Sequence, residues 1–170
     1  RFLVSFCFFP GLSLVLALES GDLEPQLIEP LLVAPKLLVH LADLLLLVLY
    51  RHVERVDLRV GDLLAGQGSF DVIVANLPYV CAADWDELAP EIRVFEPREA
   101  LVGGVRGTEA IERLLRQAPA HLARGGVLAA EIGDMQGAWL TAAAGDCFPD
   151  DEVCVIKDLA GLDRVLVIRL

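Results

Sequence analysis

From residue 51 onward the chain predicts an α/β fold, a mostly parallel sheet with helices on its faces and an antiparallel hairpin at its end. Three observations carry this expectation. Phe70-Asp71-Val72-Ile73-Val74-Ala75 is a nearly continuous β-branched run, the composition of a strand buried on both faces. An amphipathic helical stretch separates it from a second apolar run at Val127-Leu128-Ala129-Ala130-Glu131-Ile132, which is the spacing of a parallel strand–helix–strand unit. The last two apolar runs, Val153-Cys154-Val155-Ile156 and Val165-Leu166-Val167-Ile168, are joined by the loop from Lys157 to Asp163, short enough for an antiparallel pair.

Each element has its own signal. Arg55-Val56-Asp57-Leu58-Arg59-Val60 alternates and stops at Gly61-Asp62, as a half-buried strand does. Leu64-Ala65-Gly66-Gln67-Gly68-Ser69 reads as a loop, and the β-branched run after it stops at Asn76-Leu77-Pro78-Tyr79. Asp84 to Ala89 predicts a short acidic helix closed by Pro90. Gly103-Gly104-Val105-Arg106-Gly107 leads into a helix with Thr108 as N-cap and Glu109 and Glu112 near its positive end. Ile111, Leu114, Leu115, Ala118 and Leu122 share one helical face, with a bend at Pro119 and a stop at Gly125-Gly126. Asp134 is placed to cap a helix over about Met135 to Ala144.

Composition narrows the class. The chain has 170 residues, 55% hydrophobic and only 6% aromatic, so its core is aliphatic. Disordered chains are poorer in such residues. The formal net charge of -11 is the opposite of a general nucleic-acid binder's balance. Cys7, Cys81, Cys147 and Cys154 form no C-x-x-C, and His40, His52 and His121 are scattered, which argues against zinc and disulfide frameworks and for free thiols in a reducing cytoplasm.

The two ends of the chain differ. Residues 1–50 hold 17 Leu, against 15 in residues 51–170. Phe2 to Leu18 has the apolar run of a signal peptide core, but Pro10-Gly11 interrupts it and Ala17-Leu18-Glu19 is a poor cleavage site. Leu37 to Tyr50 contains His40 and Asp43 and is shorter than the roughly 20 residues of a membrane span. A buried helix, or a stretch that is not the native reading frame, is the expectation for this segment. The chain opens on Arg1, and Met135 is its only methionine, so it reads as a fragment or as a product whose start lies upstream.

In parallel sheets ligands bind beyond the carboxyl ends of the strands, where Asp62 and Asn76 fall. The Asn76 amide offers one acceptor oxygen and two donor hydrogens. Pro78 removes a backbone donor, leaving nearby carbonyls free to accept, and Tyr79 supplies a flat wall. Together they can clamp a planar amide or amine and aim its nitrogen. The same residue types also make an ordinary strand-to-loop turn.

Phe70 to Val80 resembles motif IV of the amino-group methyltransferases that use S-adenosylmethionine, whose pattern is Asn/Asp-Pro-Pro-Tyr after a hydrophobic strand. Phe95-Glu96-Pro97-Arg98-Glu99-Ala100-Leu101 with Gly103-Gly104 and Gly107 is similar to a narrower signature. So are Gly125-Gly126-Val127-Leu128 with Glu131-Ile132-Gly133 and Gln136-Gly137, and the closing Lys157-Asp158-Leu159-Ala160-Gly161-Leu162-Asp163-Arg164-Val165. In this order the blocks resemble the HemK/PrmC family, the release factor glutamine N5-methyltransferases, over about residues 51–170. The resemblance implies a Rossmann-like class I methyltransferase sheet with a terminal β-hairpin. It implies that Asn76, Leu77, Pro78 and Tyr79 bind the substrate glutamine, with Asn76, Pro78 and Tyr79 catalytic. It places Asp62, Leu63 and Asn76 against the cofactor S-adenosyl-L-methionine, with a peptide chain release factor as partner; the charge, the short apolar runs and the scattered Cys and His separately lead to the expectation of no direct nucleic-acid binding, no membrane and no metal. Glu96 and Glu131 are further carboxylates with either a site role or a plain loop hydrogen bond.

The sequence departs from that pattern twice. Leu77 stands where the family usually has Pro. The family's Asp-x-Gly-x-Gly-x-Gly loop after the first strand is absent from residues 1–50, which contain only Gly11 and Gly21, and Gly66-Gln67-Gly68 lies in the wrong place. The expected division is therefore a leucine-rich segment at 1–50 of doubtful origin, with a frame error as its explanation, and the C-terminal part of a methyltransferase domain at 51–170, with the first strands and glycine loop missing or replaced. The other readings are an amine methyltransferase of DNA or RNA bases, a non-catalytic remnant and a membrane-tethered protein.

Overall fold

The computed structural model describes residues 2–9, 12–20 and 53–170, and before Gly61 the only side chain it describes is Leu3. Its strands are β1 (Phe2–Phe9), β2 (Leu12–Ser20), β3 (Val53–Gly61), β4 (Phe70–Asn76), β5 (Val80–Cys81), β6 (Val102–Gly104), β7 (Leu122–Glu131), β8 (Glu152–Lys157) and β9 (Asp163–Arg169). Its α-helices are α1 (Pro90–Phe95), α2 (Arg98–Leu101), α3 (Glu109–Gln117) and α4 (Gly137–Cys147).

Seven strands form one sheet in the order β3-β2-β1-β4-β7-β9-β8, and β5 and β6 make a small parallel pair beside it. β1, β4 and β7 run parallel, while β2 and β9 run against their neighbours. Five strands from the β3 edge follow the doubly wound order, which reverses between β1 and β4. β8 and β9 are the expected terminal hairpin.

The main core lies on one face of the sheet. Ile111, Leu114 and Leu115 of α3 and Leu140 and Ala144 of α4 pack against Ile73, Leu128 and Leu166. Leu3 is fully buried in the same cluster. Ala129, Val165 and Val167 form a smaller cluster of their own.

Several expectations need correction. Residues 2–9 and 12–20 are strands, neither a signal-type helix nor a buried one; Phe, Val and Leu suit a pleated surface, and β1 fills the slot beside β4. The first strands are thus replaced by an antiparallel hairpin. The Leu37 to Tyr50 run lies outside the described residues. No helix among the described residues is long and apolar enough to cross a membrane.

Pro90 does not close a helix but opens α1, at a position where its missing N–H is no loss; the preceding turn, Asp84–Glu87, is 3₁₀. α3 ends at Gln117, because Pro119 cannot continue it and forces a 3₁₀ turn over Ala118–Ala120. Leu122 therefore opens β7 and does not extend the helix. Gly125 and Gly126 lie inside that strand, at a register shift where Gly125 takes φ +74°. Gln136, not Asp134, precedes α4 as its N-cap residue.

Candidate functional site

Asn76 is the last residue of β4, and its register partner in β1 is Phe6. β1 leads outward to β2 and β4 leads outward to β7, so Asn76 stands at the carboxyl end of the topological switch, where open α/β sheets bind ligands. Its side chain is exposed and makes no hydrogen bond among the described residues. Leu77 turns the other way and is buried in the core, 1% exposed. Pro78 is buried too.

The turn is held from two sides. On one side the small β5–β6 pair brings glycines against its backbone. A Cβ on Gly103 would stand 2.2 Å from the Pro78 carbonyl oxygen, and one on Gly107 would stand 2.3 Å from that of Tyr79. Side chains at these positions would push the turn out of place, which is the physical reason for the glycines in this stretch. On the other side the Gln136 Nε2 donates to the Tyr79 carbonyl at 2.8 Å, while Gln136 Oε1 accepts from the Gly133 N–H at 2.9 Å. The Tyr79 hydroxyl donates to Glu131 Oε1 at 2.9 Å. Burial, then the charge and hydrogen bond of Glu131, push the Tyr79 phenol up to about 12.

Tyr79 is also one wall of an open cleft of about 470 Å³. Cys81, Asp84, Arg106, Gln136 and Trp139 also line it. The Arg106 guanidinium sits 4.7 Å from the centroid of the Trp139 ring, and both side chains hydrogen-bond Glu112 Oε1, at 3.0 Å and 2.9 Å.

Of the other expected site residues, Glu131 hydrogen-bonds this turn, and Asp62, Leu63 and Glu96 make no hydrogen bond to it among the described residues. Asp62 is exposed just past β3, and its carboxylate pairs with Arg113 of α3. Leu63 is buried with φ +54°, an uncommon conformation for a side chain branched like leucine, and the following N–H, of Leu64, donates to Gln117 Oε1 at 2.8 Å. Glu96 is exposed, its N–H capping α1, so it is a helix-end residue. Glu131 has the hydrogen bond to Tyr79 that the sequence left open. Sequence reasoning gave Gln136 no role; its place five residues after Glu131, just ahead of a helix, was the signal. No group of three or more His, Cys, Asp or Glu side chains among the described residues converges as for a metal ion.

An S-adenosylmethionine site needs a close backbone cradle at the end of the first strand. Here Phe9 of β1 pairs with Leu12 of β2, so β1 folds back as an antiparallel hairpin and does not feed a helix N-terminus. Asp62 is engaged by Arg113. The described residues do not fit the cofactor's methionine end.

The strand order of the sheet and the Asn-x-Pro-Tyr turn at the end of β4 are what the resemblance to Rossmann-like methyltransferases implies. Sequence comparison shows which proteins the chain is similar to. Over 121 residues, 69% of the chain, it is 42% identical to the release factor glutamine methyltransferase of Cereibacter sphaeroides. It is 40% identical over 116 residues to that of Rhodopirellula baltica, and 48% identical over 82 residues to the ribosomal protein uL3 glutamine methyltransferase of Bradyrhizobium diazoefficiens. By these matches the chain is related to the protein glutamine methyltransferases, as its blocks imply. It spans 42% and 39% of the length of the first two relatives. No protein-family model matches the chain. A solved protein-(glutamine-N5) methyltransferase from Alicyclobacillus acidocaldarius aligns with 59% of this chain and 48% of its own, at 23% identity and a TM-score of 0.40.

Proposed function

We propose that the Asn76–Tyr79 turn is the amide-recognition part of a protein glutamine methyltransferase. The whole protein's reaction, in this reading, is methyl transfer from S-adenosyl-L-methionine to the side-chain amide nitrogen of a glutamine in a peptide chain release factor, in the cytoplasm. The observation that carries it is the exposed Asn76 amide at the switch point, without a hydrogen bond among the described residues, beside a Tyr79 that is anchored at both ends. Asn76 accepts an N–H of the substrate amide, the Pro78 carbonyl takes the second, and the Tyr79 ring closes one side. Acceptors fixed in advance orient the nitrogen and contribute most of what this half of the site can add to the rate. The net charge of -11 suits a protein substrate better than a nucleic acid.

The test is methyl transfer to two acceptor proteins, a release factor and a ribosomal protein, each with its acceptor glutamine intact or replaced by alanine. Transfer that needs the glutamine, and is lost in Asn76→Ala, supports the reading. Equal labelling of the alanine forms refutes it. The β1–β2 hairpin favours a second reading, an amide-binding module without transfer. Calorimetry with millimolar S-adenosylmethionine separates the two, since the module would bind a glutamine peptide and release no heat with the cofactor.

A further inference from the structure

Tyr79 is gripped by the end of β7 and the chain that follows it, at two points that do not themselves touch the amide. Its hydroxyl donates to Glu131, the last residue of β7, at 2.9 Å. Its carbonyl accepts from Gln136, the residue that opens α4, at 2.8 Å. Gln136 is itself fixed, because its Oε1 accepts from the Gly133 N–H at 2.9 Å. Both partners thus sit on the ends of packed elements, where side chains are held more rigidly than on a loop. A turn that offers acceptors to a planar amide gains only if those acceptors are in place before the substrate arrives.

We infer that Glu131 and Gln136 are positioning residues, a two-point clamp that sets the ring and the backbone of Tyr79. Through Tyr79 they hold the Asn76–Tyr79 turn in the shape that receives a glutamine side-chain amide. The inference rests on the amide-recognition reading and adds what gives that site its geometry. The charged groups that act on the phenol are Glu131, which raises it, and Arg164, which lowers it; Arg164 is paired with Asp158 at 3.3 Å. A plain structural hydrogen bond at Glu131 would support folding without governing the turn.

The chain has two tyrosines, so Tyr50→Phe leaves Tyr79 as the one phenol. A rapid pH jump then reads its ionisation by ultraviolet absorbance before alkaline unfolding. In this background Tyr79 titrates near 12. Burial, the largest cause, keeps it above the ordinary tyrosine value in every variant; Glu131→Leu removes the carboxylate's part of the rise, and Glu131→Gln, which keeps an acceptor and loses the charge, removes less of it. Methyl transfer to the glutamine substrate is measured on the same proteins. Glu131→Leu and Gln136→Met each lower kcat/KM by about ten- to a hundredfold, and Glu131→Gln recovers most of the loss.

An unchanged titration in Glu131→Leu overturns the inference, because the contact is then absent in solution. So does undiminished transfer in variants that have lost the contact, or a Glu131→Gln variant as impaired as Glu131→Leu. If the unsubstituted protein transfers no methyl group, the methyltransferase reading fails by itself. The clamp is then scored by the affinity for a glutamine peptide against its glutamate counterpart, with loss of that preference in Glu131→Leu as the supporting result and its retention as the refuting one.

Discussion

Replacing Gly107 by alanine tests whether the glycine-rich segment supports the site or is merely a flexible loop. Two costs are separable. Gly107 has φ +79°, and Gly66 has nearly the same φ, +75°, but only Gly107 is crowded. A Cβ at Gly107 meets the Tyr79 carbonyl oxygen at 2.3 Å and the Cys81 nitrogen at 2.9 Å, whereas one at Gly66 meets nothing within 4 Å. The left-handed conformation costs an alanine about 1–2 kcal/mol, offset by about 0.4–1 kcal/mol from the stiffer unfolded chain. Gly66→Ala should therefore lose only about 1 kcal/mol. Gly107→Ala adds an overpacking cost of about 1–3 kcal/mol, because backbone atoms must move. Gly103→Ala, with its Cβ 2.2 Å from the Pro78 oxygen and no positive φ, shows the crowding cost alone. Urea unfolding followed by tryptophan fluorescence gives each difference. A Gly107→Ala protein no less stable than Gly66→Ala would refute the reasoning, for the turn would then be free to move aside.

Other expectations follow from single contacts. Asn76→Ala should change stability by less than about 0.5 kcal/mol while abolishing recognition of the glutamine amide, read by peptide binding and by urea unfolding of the same sample. Leu77→Ala should instead cost about 2–5 kcal/mol, since Leu77 is 1% exposed in the core; a surface-like loss would place that side chain elsewhere. Glu112 accepts from the Thr108 hydroxyl at 2.7 Å, from Trp139 and from Arg106, and these hold its carboxyl below the usual glutamate range. A lowered carboxyl stabilises the fold above its unfolded value and loses that contribution as pH falls through the folded one, so thermal melts of Glu112→Gln should be less sensitive to acid below the ordinary glutamate range. Arg113→Ala, which breaks an exposed pair with Asp62, should cost at most about 1 kcal/mol by the same melts.

The sequence made some of this structure legible and hid the rest for definable reasons. β4, β7 and β9 were readable because a strand buried in a sheet must be apolar on both faces, and β8, at the edge, because its apolar run is joined to that of β9 by a short loop of turn residues. The end of α3 was misjudged because Leu122 continues its apolar spacing, and spacing alone does not register that Pro119 removes the next hydrogen bond. Pro90 was read as a stop because the same missing N–H that breaks a helix interior is harmless at its first residue. Residues 2–20 were hidden more deeply. A run of Leu, Phe and Val has no period, so it cannot separate strand from helix, and only the open slot beside β4 decides. Asn76, Pro78 and Tyr79 could be picked out as a candidate site because their chemistry is local. The grip of Glu131 and Gln136 was not, because it depends on where the end of β7 comes to rest.

That distinction bears on what the chain can do. Recognition of an amide needs one short turn and its supports, and these come from β4 to α4, all on the side of the sheet that follows β4. Holding a cofactor with an adenosine and an amino-acid end needs the opposite side of the switch, where β1 meets β2 as a hairpin and Arg113 occupies Asp62. A substitution on one side should therefore leave the other's binding intact, and the proposed clamp on Tyr79 would keep the amide turn formed in advance whether or not the far side is loaded.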